Sequence, residues 1–265
     1  MHKLSKFGCS YSDYERYIRH KCPNVRYIAL LKKYEGLSNA WDGLEEFLTD
    51  KASKVRSLAA FILKKYKGFD AHDYYLGLLG TENTSIALTD LGTYGTKADA
   101  ETVKSFVFSD NNSIARKALH SYGKLMGADG AEIYWEQLCS EDIQMCIEAF
   151  RTITSNRIFF VTDSIWKEYQ LRAGTSNGNY FIYLLCNQTD WERMKYLVKL
   201  YADGSVDETI KDKISFSLRR RNMYKKLSAE TADELVSVIS ENMGKLEKLA
   251  DGLLFDIEKA REYGT

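Results

Sequence analysis

Apolar residues recur at helical spacing along most of the chain. Between Lys54 and Lys67, Val55, Leu58, Ala59, Ile62, Leu63 and Tyr66 fall three and four residues apart, which gathers them on one helix face. Ile114, Ala118, Leu119, Tyr122 and Leu125 do the same. Ser12 with Glu15, Thr189 with Glu192 and Thr231 with Glu234 have capping-box spacing, and Gly68, Gly80, Gly95 and Gly127 fall where helices should stop. VRYIALL and RIFFVT have strand-like composition, but no hairpin of alternating strands follows. The pattern predicts about 14–16 helices in 265 residues and an all-α fold.

The helices repeat. Residues 83–95 (NTSIALTDLGTYG) and 111–123 (NNSIARKALHSYG) are identical at seven of thirteen positions without a gap. Upstream, Val25-Arg26 recurs at Val55-Arg56, and Lys32-Lys33-Tyr34 at Lys64-Lys65-Tyr66. Aligning Val25, Val55, Ile86, Ile114 and Ile143 gives steps of 30, 31, 28 and 29 residues. A period near 30 suits two helices of about 15–20 Å and two turns. One such pair cannot bury both of its faces, so neighbouring pairs must share a core.

KVRSLAAFILKKYKG and NNSIARKALHSYGKLMG resemble the second helix of HEAT-type (armadillo-type) repeats, most clearly over residues 20–155. The resemblance implies a right-handed α-solenoid of stacked antiparallel helix pairs, a single domain over residues 1–265. The GTSNGN segment at 174–179 is its strongest internal loop, and amphipathic helices over 228–262 cap its end. It also implies that function sits on the concave face formed by the second helices, as recognition of a protein or a nucleic acid. Two departures from the family pattern are that Pro23 is the chain's one proline and that the Asp often found before Val-Arg is absent at most repeats.

Charge narrows the choice. Lys plus Arg is 37 and Asp plus Glu is 37, a balance unlike that of a protein built mainly to hold nucleic acid. Residues 1–70 hold 14 basic and 8 acidic residues; residues 71–210 hold 12 and 19. The densest basic run is 211–226, with seven basic residues and one acidic. Arg219, Arg220, Arg221, Tyr224, Lys225 and Lys226 form its candidate binding patch, basic groups for phosphate or an acidic partner with an aromatic ring for stacking. The alternative role for this run is a solvated helix face whose basic end suits the helix dipole.

Catalytic chemistry finds little support. GxSxG, HExxH and GxxxxGK[ST] are absent, Cys9, His20 and Cys22 lack zinc-site spacing, and no cofactor motif is found. Asp142 and Glu148 lie near a helix start, where capping accounts for them. Tyr34, Tyr66, Tyr94 and Tyr122 recur at one repeat position and are expected to pack between units, while Trp41, Trp135, Trp166 and Trp191 share no such position. Five scattered cysteines, no secretory signal and no apolar run of membrane-spanning length predict a reduced, cytoplasmic protein without a membrane partner. The leading expectation is a non-enzymatic scaffold that binds a protein partner. The alternative is a DNA-binding HEAT-like protein of the alkylated-base DNA glycosylase type, which should be basic. A third reading is an assembly part or homo-oligomer, joined through its amphipathic C-terminal helices.

Overall fold

The computed structural model describes residues 16–35, 43–204, 206–219 and 226–262. Among the described residues there are fifteen α-helices, three short 3-10 turns and no strand. VRYIALL lies inside a helix, and most of RIFFVT forms an irregular connection. The chain divides into two compact units, residues 1–127 and 128–265.

The first unit contains α1 (Pro23–Glu35), a 3-10 turn (Leu44–Thr49), α2 (Ser53–Lys67), α3 (Ala71–Gly77), α4 (Thr84–Tyr94), a 3-10 turn (Lys97–Asp99), α5 (Ala100–Ser105) and α6 (Asn112–Met126). Pro23 opens α1, where its missing N–H costs no helical hydrogen bond. Helix α2 ends at Gly68, whose φ of 63° lies in the left-handed region that glycine enters without strain. Helix α1 and the first 3-10 turn pack on α2, α3 on α4, and both α4 and α5 on α6. Val55, Leu58, Ala59, Ile62 and Leu63 are buried as the periodicity predicts, together with Leu30, Leu44, Phe47 and Leu48.

Arginines tie the pairs together. The Arg26 guanidinium donates two 2.7 Å hydrogen bonds to the Asp50 carboxylate and one of 2.7 Å to the His20 carbonyl. Arg56, the same position one repeat later, pairs with Asp90 of α4 through Nε and Nη2 and donates from Nη1 to the Asp50 carbonyl at 2.7 Å. The Arg56 and Asp90 side chains are 4% and 5% exposed. Each arginine of the recurring Val-Arg pair therefore reaches forward to an aspartate further along the chain.

The two most similar segments diverge at their ends. Helix α4 stops at Gly95, because Thr96 and Asp99 close a capping box that starts the next turn. Its counterpart Gly123 is followed by Lys-Leu-Met, and α6 runs on to Met126. Between them α4 and α6 approach closely. A Cβ on Gly92 would lie 2.9 Å from Ser121 Oγ, and that hydroxyl donates to the Leu88 carbonyl at 2.6 Å.

The second unit opens with a 3-10 turn and contains α7 (Ala131–Leu138), α8 (Ile143–Ser155), α9 (Thr162–Arg172), α10 (Gly178–Asn187), α11 (Arg193–Asp203), α12 (Glu208–Arg219), α13 (Ala229–Glu241), α14 (Met243–Leu246) and α15 (Lys248–Glu262). Helices α8 and α12 both pack against α10, and α15 packs against α12. Asp142 caps α8 by accepting from Gln144 N and Met145 N, as Asn111 caps α6 by accepting from Ser113 N and Ile114 N. Aligned on these caps, Met145 rather than Ile143 is the counterpart of Ile114. The segment 174–179 lies within this unit as the turn between α9 and α10.

Two expected capping boxes resolve differently. Asp190, not Thr189, accepts the Arg193 N–H, and Ser228, not Thr231, caps α13. Ser12 and Glu15 lie outside the described residues. At the C-terminal end, Leu235, Val238, Ile239, Leu246, Leu253 and Ile257 are buried, while Met243 is exposed. Glu247, at a φ of 50°, separates α14 from α15.

Candidate functional site

Of the basic patch predicted from sequence, Arg219 and Lys226 are exposed. Arg219 is the last residue of α12, where its charge favours the helix dipole. Arg220, Arg221, Tyr224 and Lys225 lie outside the described residues.

The second helices of the second unit carry a different set of groups. Phe150 on α8 lies 5.3 Å from Tyr180 and 6.1 Å from Tyr183 of α10, ring centre to ring centre. Lys213 of α12 places its ammonium 5.8 Å from the Tyr183 ring. Phe216, one turn further along α12, is 66% exposed. Burial raises the pKa of the Tyr183 hydroxyl, with Asp207 adding to the effect. These aromatics come from three helices and span 66 residues from Phe150 to Phe216, so no local motif reveals them.

The same unit holds a cleft of about 840 Å³, within the range of ligand pockets. Trp166, Tyr169 and Gln170 of α9 form one wall, Lys199 and Asp203 of α11 another, and Asn242 and Lys245 border it. Trp166 stacks on Tyr196 at 4.7 Å, and the Tyr196 hydroxyl donates to Asp163 at 2.6 Å. Burial and this carboxylate push the Tyr196 hydroxyl up to about 12. Aromatic, amide and oppositely charged groups suit the cleft to holding a ligand by contact and hydrogen bonding.

The remaining candidates have local explanations. Trp135 packs against Phe160 and Phe181, and Trp191 is buried. Tyr34 meets Tyr66 edge-on at 6.0 Å, Tyr94 stacks on Tyr75 at 5.8 Å, and Tyr122 is buried, so the recurrent tyrosines pack as expected. Trp41 lies outside the described residues. Cys22, Cys139, Cys146 and Cys186 are free thiols, and burial pushes the last three up to about 11. Cys22 differs: the backbone N–H groups of Val25 and Asn24 favour its thiolate. Among the described residues, no cluster of His, Cys, Asp and Glu has the arrangement of a metal site, and no helix is long and apolar enough to cross a membrane.

No protein-family model matches the sequence, and no curated protein is similar to it. The functional reading therefore rests on the geometry of the chain itself.

Proposed function

We propose that the chain is a non-enzymatic scaffold, a right-handed HEAT-like α-solenoid that binds a protein partner along the concave face of its second helices. The observation that carries this reading is the aromatic strip of Phe150, Tyr180, Tyr183 and Phe216 on three second helices of one unit. Tyrosine and other aromatics supply large contact area at low cost in side-chain entropy, and interface hot spots are enriched in tyrosine. The second unit, with 18 basic and 23 acidic residues, carries a net negative charge that disfavours a nucleic-acid backbone. That weighs against the DNA-binding alternative. Its free thiols suit a reducing compartment, and we place the protein in the cytoplasm.

The test is affinity capture from lysate of the source, with and without nuclease, using the wild-type chain and a Tyr183→Ala/Phe216→Ala variant of unchanged helical content. A discrete protein partner that survives nuclease and is lost from the variant is the expected result. Nucleic acid recovered in its place, or a partner held equally by both chains, would overturn the proposal.

A further inference from the structure

The second helices of the first unit are charged in one sense. Helices α2 and α6 contain no acidic residue. The one acidic residue of α4, Asp90, is buried against Arg56. Three partly exposed residues of α4 that are small or hydroxylic, Ser85, Thr89 and Gly92, lie at three- and four-residue steps on one side of the helix.

Lysines of α6 lie across that floor. Lys117 donates to the Ser85 hydroxyl, and the Lys124 side chain passes 3.1 Å from where a Gly92 Cβ would be. Gly92 thus does two things: it lets α4 and α6 approach, and it leaves room for the Lys124 stem. Counted from the helix caps Ala52 and Asn111, Lys65 of α2 holds the same place as Lys124 of α6, and Phe61 the same place as His120. Lys65 donates to the Tyr34 hydroxyl at 2.7 Å and sits 5.0 Å and 5.2 Å from the Tyr34 and Tyr66 rings. Its partners are neutral. Among the described residues, Lys65, Lys117 and Lys124 form no ion pair, whereas Lys67 of the same α2 pairs with Glu45. Phe61, one turn before Lys65 on α2 and 56% exposed, adds an apolar contact beside it.

We propose that this face binds an acidic segment of a protein partner, with Lys65, Lys117 and Lys124 meeting its carboxylates and Phe61 an apolar side chain. The proposal rests on the scaffold reading above and names the chemistry of the partner at the first unit. Lys117 and Lys124 are two helical turns apart, about 10 Å along α6. A segment in the polyproline II conformation rises about 3.1 Å per residue with three residues per turn, so carboxylates at every third residue fall on one side about 9 Å apart and match that spacing. An acidic peptide needs only this local patch. A nucleic acid would follow a longer positive track of phosphate contacts. The first unit holds 19 basic and 14 acidic residues, so the bias extends beyond the three lysines.

The test uses the full chain and fluorescence anisotropy with three labelled probes. They are a twelve-residue peptide with glutamate at every third position, its glutamine counterpart, and a single-stranded oligonucleotide of equal charge. Expected are binding of the acidic peptide that weakens as salt rises, little binding of the glutamine peptide, and a loss of about tenfold or more in Lys117→Glu/Lys124→Glu. Lys65→Glu provides a second disruption should the double variant fold poorly. Lys248→Glu, in the second unit, should shift affinity by less than about twofold. Tighter binding of the oligonucleotide, equal binding of the glutamine peptide, or indifference to both sets of first-unit substitutions would overturn the proposal. So would a concentration-dependent dimer, seen by sedimentation, that the same substitutions abolish, since the occupant would then be a second copy of the chain. The Tyr183→Ala/Phe216→Ala experiment is read on the other unit. A partner lost there while the acidic peptide goes unbound would leave the scaffold reading intact and sink only this inference.

Discussion

Replacing Asp90 by alanine tests the idea that a buried ion pair joins α2 to α4. The substitution removes both acceptors of Arg56 Nε and Nη2 and leaves the guanidinium the Asp50 carbonyl, 2.7 Å from Nη1. The guanidinium would stay in a site where its side chain is 4% exposed. Removing one partner of a buried pair costs about 3–5 kcal/mol, and the retained carbonyl contact favours the lower end, about 3 kcal/mol. With a urea slope of about 1–3 kcal/mol per molar, the midpoint should fall by about 1–3 M. Urea unfolding followed by circular dichroism gives the global value, and hydrogen exchange read peptide by peptide localises the loss to α2 and α4. The double variant Arg56→Met/Asp90→Leu removes both charges, fills similar volume and should recover most of the loss. An Asp90→Ala chain within about 1 kcal/mol of wild type, or a double variant as unstable as the single, would refute the argument.

Three further expectations follow from other sites. Gly92→Ala should destabilise by about 1–3 kcal/mol despite alanine's better helix propensity, because the new Cβ would meet the buried Ser121 at 2.9 Å; a thermal melt at or above wild type would contradict this. The Asp99 carboxylate, 3.0 Å from His72 Nε2, raises the His72 pKa, and Asp73 adds to it. The charged imidazolium thus stabilises the first unit; this contribution is full below about pH 6.5 and is lost as pH rises through the higher folded value. Proton NMR titration should place His72 above an ordinary histidine, and His72→Gln should remove that step from the pH dependence of stability. Brief alkylation near neutral pH followed by peptide mass mapping should label Cys22 well before Cys139, Cys146 and Cys186, and equal labelling of all four would contradict the assigned burial.

Local features of the fold were readable because helices write their periodicity into adjacent residues. The buried faces of α2 and α6 and the stop at Gly68 follow from spacing alone. Register was harder. Ile143 looks like the next anchor because it is apolar, yet the Asp142 cap sets the frame and makes Met145 the equivalent. Thr189 and Thr231 have the right chemistry for caps, but Asp190 and Ser228 lie where the first free N–H groups point. The Val-Arg recurrence is visible in sequence, while its acceptors Asp50 and Asp90 lie 24 and 34 residues away and no pattern joins them. Surface sites suffer most from this distance. The run 211–226 stands out because its charges are contiguous. The lysines of α6 meet α4, and the aromatics of α8, α10 and α12 come together, only when separate helices are laid side by side.

The linked contacts of Arg26, Asp50, Arg56 and Asp90 bear on how this sequence can drift. Asp50 serves Arg26 with its carboxylate and Arg56 with its carbonyl, so one residue is shared by two clasps. A single charge lost from a clasp strands its buried partner, whereas exchanging both members for apolar residues does not. Viable descendants of this chain should therefore change positions 56 and 90 as a couple, and 26 and 50 as another. Among relatives, those columns should covary across gaps of 34 and 24 residues, leaving in the lineage a record of pairings that no single sequence displays.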